Sequence, residues 1–154
     1  MTDPLQSYRQ LIEILNSTQS PSSDIRWQDV DWDRLIQVAD QEGLGPRLYQ
    51  SLSESGLIKQ LPEGSRAAFK RRVLLNTMLN EKIKLQAIEI VAVLNELDIE
   101  PIIIKGGLHL FESEPGALGT RVMGDLDIII SAPQMDLAVE RPGKIGFEPD
   151  EAEE

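Results

Sequence analysis

Two short runs of this chain carry residue types at spacings suited to chemistry on phosphate. Pro101-Ile-Ile-Ile-Lys105-Gly106-Gly107 has the pattern of a strand followed by a glycine turn. After a short helix and a loop, Gly119-Thr-Arg121-Val-Met-Gly124-Asp125-Leu-Asp127-Ile-Ile-Ile130 has the pattern of a loop running into a second strand. Side chains alternate faces along a strand, so Asp125 and Asp127 project from one face with Ile129, and Leu126, Ile128 and Ile130 take the other. Two carboxylates held that close repel each other unless a cation lies between them. Mg²⁺ is such a cation, a hard ion usually bound by one or two carboxylates together with substrate phosphates. Lys105 closes the first strand, and Gly106 and Gly107 let backbone N–H groups approach an anion with the next helix's N-terminus behind them. One run suits phosphate, and the other suits the metal that travels with phosphate.

In order and spacing the two runs resemble the nucleotidyltransferase superfamily, where a glycine turn follows the first strand and an Asp-x-Asp pair opens the next. More narrowly, Ile104-Lys105-Gly106-Gly107, Pro115-Gly116, Arg121 and Met123-Gly124-Asp125-Leu126-Asp127-Ile128-Ile129-Ile130 resemble the uncharacterised nucleotidyltransferase family. Members of that family carry a Leu-Lys-Gly turn and an Arg-Pro-Met-x-Asp-Ile-Asp-Leu strand. Val122 stands where that strand has proline. The sharp motifs occupy residues 101–130, and the helical stretch before them is also similar to the family's N-terminal region. The direction of the pattern agrees, because Ile128, Ile129 and Ile130 follow the aspartates. In Asp-x-Asp glycosyltransferases the apolar strand precedes them.

The resemblance implies metal-dependent transfer of a nucleotidyl group from a nucleoside triphosphate to an acceptor that the sequence does not name. Asp125 and Asp127 would be the catalytic, Mg²⁺-holding pair. Lys105, Gly106, Gly107 and Arg121 would bind phosphate. The superfamily's third carboxylate lies on a later strand, and none follows Ile130 at the expected place. The expectation is therefore a core truncated after its second strand, with an incomplete sheet and little or no activity. Two alternatives stand beside it. One is a noncatalytic nucleotide-binding domain. The other is an interaction module, one half of a split or paired system whose acidic surface meets a basic partner; the open sheet edge could also receive a protein partner or a second copy.

The elements around these runs predict an α+β fold. Residues 1–97 form an N-terminal helical portion packed on a small α/β unit, residues 98–147, followed by an acidic tail, 148–154. Leu5, Tyr8, Leu11, Ile12 and Leu15 keep helical spacing from about Asp3, a plausible N-cap, to Asn16. A second helix starts near Asp31 and stops at Gly43, and a third runs from Gly45-Pro46 to Gly56. The spellings Asp29-Val-Asp31 and Asp31-Trp-Asp33 sit at a helix start, where acids cap N–H groups, and are structural. From Pro62 a long helix extends to about Leu97, with Leu75, Leu79, Ile83, Ala87, Ile90, Leu94 and Leu97 spaced to bury one side. Its basic cluster, Lys70, Arg71 and Arg72, has the character of a solvated face. The strands are expected over Pro101–Lys105 and Asp125–Ser131. A helix through Met135, Leu137 and Val139 should break near Arg141, because proline is costly inside a helix.

Composition narrows the partners. The 154 residues suffice for a domain with a core, and the formal net charge is −11. That charge disfavours direct binding to nucleic acid backbones. With no cysteine, there is no disulfide framework or thiolate metal site, which fits a cytoplasmic location. Neither a signal peptide nor a membrane span is evident.

Overall fold

The computed structural model describes residues 4–16, 26–112 and 117–143. Among them are six α-helices and one two-stranded sheet: α1 Pro4–Asn16, α2 Trp32–Gln41, α3 Gly45–Glu54, α4 Glu63–Asn95, β1 Ile102–Ile103, α5 His109–Glu112, β2 Ile128–Ile129 and α6 Met135–Gly143. The class is α+β with a small antiparallel sheet, as the sequence pattern implies. Asp3, Pro115-Gly116, Ile145-Gly146-Phe147 and the acidic tail lie outside the described residues. The chain divides into two compact units. The first holds the described residues up to Leu79 together with 117–122, and the second holds Asn80–112 and 123–143.

In the first unit, α2 begins where Asp31 accepts a hydrogen bond from the Arg34 backbone N–H at 3.0 Å. Asp31 therefore acts as an N-cap, satisfying a donor that the helix leaves orphaned. Trp32, Leu35, Ile36, Val38 and Ala39 then recur at helical spacing and are all buried. They meet Leu11 and Ile14 of α1, Leu48 and Leu52 of α3, and Phe69 of α4 in one apolar cluster. Burying each such large side chain stabilises the fold by about 1.5–3 kcal/mol. Arg72, from the basic cluster, pairs with Asp40 at 3.0 Å.

The side of α4 that turns inward differs from the apolar spacing. Ala87 and Leu94 are buried as expected, but Leu75 is 49% and Leu79 56% exposed. The buried position beside Leu75 is taken by Asn76, whose Nδ2 donates to the backbone carbonyls of Gly119 and Arg121, each at 2.8 Å. Those carbonyls belong to a segment lying directly on the helix. A Cβ on Gly119 would strike Thr77 Oγ1 and stand 3.2 Å from the Val73 carbonyl oxygen. A buried carbonyl needs a donor, and a leucine offers none. Satisfying the loop backbone therefore outranks burying Leu75, and Leu74, Leu75, Met78 and Leu79 face outward.

In the second unit, Leu94, Ile99 and Ala138 form a small core with Ile90, Leu97 and Ile130 against it. Asp98, at φ 57°, turns the chain out of α4 toward β1. The two strands pair antiparallel, Ile102 opposite Ile129 and Ile103 opposite Ile128. One further bond, Ile104 N–H to the Asp127 carbonyl at 3.1 Å, carries the ladder toward the aspartates. The paired strands are shorter than the apolar runs that announced them. Helix α6 continues to Gly143, two residues past the expected break at Arg141. Pro142 falls in the last turn, where its missing N–H forfeits a single helical bond.

Replacing Asn76 with alanine should lower stability by about 1–3 kcal/mol, because two carbonyls lose their donor. Leu75→Ala, on the exposed side, should change it by less than about 0.5 kcal/mol. Urea denaturation of both variants measures the contrast, and equal losses would contradict the assignment of the buried face.

Candidate functional site

The antiparallel register of the second unit brings the end of β1 to the start of β2. Because Ile104 bonds to Asp127, the next residue, Lys105, emerges beside the aspartates. Its Nζ donates to Asp127 Oδ1 at 3.0 Å, with side-chain exposures of 67% for Lys105 and 33% for Asp127. The hydrogen bond from Asp127 and that residue's charge hold the Lys105 ammonium above the ordinary lysine range. Slight desolvation opposes them, and the charge of Asp125 adds to them. Both carboxylates thus act on one cationic point. The protonated lysine contributes its full stabilisation below the ordinary lysine pKa of 10.5, and the contribution is lost as pH rises through the higher folded value.

Lys105 adopts φ 51°, in the left-handed region that residues with a Cβ disfavour. The turn after it explains how that conformation is held. Residues Lys105–Leu108 make one 3-10 turn in which the Gly107 N–H donates to the Ile104 carbonyl at 3.2 Å. The carbonyls of Gly106 and Gly107 accept from His109, the first residue of α5. Gly107 is buried, and a Cβ there would collide with Ile103 Cγ2 and stand 2.9 Å from Leu126 Cδ1. Its missing side chain lets the turn lie close against Ile103 of β1 and against Leu126. The sequence pattern pointed to anion approach at this glycine, and the geometry adds a packing demand.

Lys105, Gly106, Gly107, Asp125 and Asp127 are gathered in the second unit. Arg121 belongs to the first, on the segment whose backbone Asn76 holds. Asp125 is exposed and Asp127 half-buried. Leu126, Ile128 and Ile130 are each partly buried, and Ile130 packs against Leu94, Ile99 and Ala138. The cross-strand pair Ile102 and Ile129 is 60% and 50% exposed. By strand alternation that pair shares the face of Asp127. Strand periodicity alone could have identified this apolar surface beside the carboxylates once the register was known.

Among the described residues, no three His, Cys, Asp or Glu side chains gather as a metal site. The available donor set is the Asp125–Asp127 pair. Its chemistry is that of a hard cation's donors, and in this structure the Lys105 ammonium occupies one of them, Asp127 Oδ1, at 3.0 Å. Oxygen donors of this kind suit Mg²⁺, completed by water and phosphate oxygens.

A family model described as uncharacterised nucleotidyltransferase matches residues 28–154. No curated protein and no solved structure matches the chain. None of the helices among the described residues is long and apolar enough to cross a membrane.

Gly107→Ala should cost about 1–3 kcal/mol, since the added methyl forces the turn away from Ile103 and Leu126. Chemical denaturation checks the loss. A variant as stable as the parent would show that the turn has room to spare.

Proposed function

This chain belongs to the uncharacterised nucleotidyltransferase family, and from that premise we propose that the Lys105-Gly106-Gly107 turn and the Asp125–Asp127 pair form a metal-dependent nucleotidyl-transfer site for a nucleoside triphosphate. The observation that carries the proposal is the 3.0 Å contact between Lys105 Nζ and Asp127 Oδ1. It joins the phosphate-binding half of the pattern to its metal-binding half.

Asp125 and Asp127 would hold Mg²⁺, which when bound neutralises charge developing on phosphate oxygens. Lys105 presents an exposed ammonium able to make charge-assisted bonds to those oxygens. Gly107 keeps the turn close against Ile103 and Leu126, and Gly106 brings no side chain to stand between an anion and the backbone. Arg121 is assigned to phosphate by the family resemblance. The net charge of −11 argues against a nucleic acid as acceptor. A second chain adding a strand is the partner best suited to a two-stranded sheet, which is marginal by itself.

A second reading, nucleotide binding without turnover, is favoured by the donor count. Two carboxylates can hold a metal, but the described residues bring no third to it to activate an acceptor. The expected outcome is accordingly Mg²⁺-dependent nucleotide binding with little or no transfer by the 154-residue chain. Calorimetry with and without Mg²⁺ tests the binding, and Asp125→Asn combined with Asp127→Asn should abolish its magnesium-dependent part. An unchanged titration counts against coordination by this pair. A labelled-nucleotide assay tests turnover, and robust metal-dependent transfer would mean that two aspartates suffice.

A further inference from the structure

We propose that Lys105 is the resident counter-ion of the Asp125–Asp127 pair and that it exchanges with the divalent cation. Without metal its ammonium offsets one of the pair's two negative charges, and the arrival of metal releases it to the substrate's phosphates. This rests on the metal-binding role assigned to the pair above.

The geometry sets up a direct competition. The ammonium sits 3.0 Å from Asp127 Oδ1. A magnesium ion bound to that carboxylate would lie about 2.0–2.1 Å from its oxygen. Two cations cannot share the carboxylate at such distances without strong mutual repulsion. One of them must move, and the structure distinguishes which. The Asp127 backbone is fixed by the bond from Ile104, and its side chain is 33% exposed. The Lys105 side chain is 67% exposed and can turn away without disturbing packed atoms. The carboxylate is the stationary partner and the ammonium the mobile one.

The backbone at Lys105 argues against a merely structural pair. At φ 51° glycine would be the least strained choice, and asparagine the next. An exposed ion pair contributes little stability. A lysine here accepts an unfavourable backbone conformation for a weak fold contribution, so its head group serves another purpose. Once freed, that head group is tethered at the turn proposed to receive phosphate. Metal and nucleotide then bind cooperatively, each favouring the state that the other needs, and the coupling is reciprocal. The metal alone binds weakly because it must displace an ammonium.

The test uses Mn²⁺ as probe, followed by electron paramagnetic resonance and calorimetry on the full chain without nucleotide. Lys105→Gln, which keeps the backbone demand and removes the charge, should bind Mn²⁺ about three- to tenfold more tightly than the parent. Lys82→Gln, the same charge loss at an exposed position of α4, should stay within about twofold. With α,β-methylene ATP present the order should reverse, and Lys105→Gln should bind the metal–nucleotide about tenfold more weakly. In the parent protein the Lys105 ammonium resonance should move toward that of a solvated lysine as Mg²⁺ is added. This readout does not depend on any variant folding. If Lys105→Gln leaves Mn²⁺ affinity unchanged while Asp127→Asn abolishes it, the exchange is wrong and the metal site stands. If neither the parent nor Lys105→Gln binds Mn²⁺, the metal site and the exchange fall together.

Discussion

The constraint on which the site depends is the antiparallel register of two very short strands. Ile103 opposite Ile128, continued by the Ile104 bond to Asp127, fixes which residue of one run stands beside which residue of the other. A slip of one residue would exchange the faces of every side chain on β2. Asp127 would then turn toward Leu94, Ile99 and Ala138, and Ile128 would turn outward. The isoleucines make such a slip costly, since Ile130 is needed in that small core. The apolar half of the alternation therefore holds the carboxylates in place.

The strands, the turn and the aspartate pair were legible in the sequence because each carries a local signal. Strand alternation, a glycine pair and an acid at a helix start all act over a few residues. The capping role of Asp31 was legible for the same reason. What was not legible depends on segments far apart in the chain. Asn76 lies 43 residues from Gly119 and is buried because two loop carbonyls need a donor. In a helical sequence an asparagine suggests a solvated face, and leucines at positions 75 and 79 suggest a buried one. Nothing local marks the inversion. The contact between Lys105 and Asp127 is of the same kind, since it depends on the register rather than on either run alone.

Two glycines show how one residue type serves the fold in different ways. Gly119 lets a loop lie on α4 so closely that a methyl would meet Thr77. Gly107 lets the turn lie on Ile103 and Leu126. Neither takes the left-handed conformation, which falls instead to Lys105. A sequence argument from glycine's backbone freedom therefore finds the right turn by an incomplete route. The glycine at 107 is required for packing, and the strained backbone belongs to the charged residue before it.

The charge of the chain bears on the same point. At −11 the protein repels a nucleoside triphosphate at long range. At physiological ionic strength that repulsion fades over about 8 Å, so approach to the site is governed by the groups immediately around it. There the Lys105 ammonium offsets part, but not all, of the negative charge of Asp125 and Asp127. An anionic ligand arriving without metal would gain from the ammonium only by taking it from the carboxylates, which would leave those charges exposed to it. Arriving with a divalent cation, it would supply the carboxylates with a replacement and gain the ammonium as well. On the proposed reading, the pairing of Lys105 with Asp127 would discriminate against the free nucleotide and in favour of its metal complex.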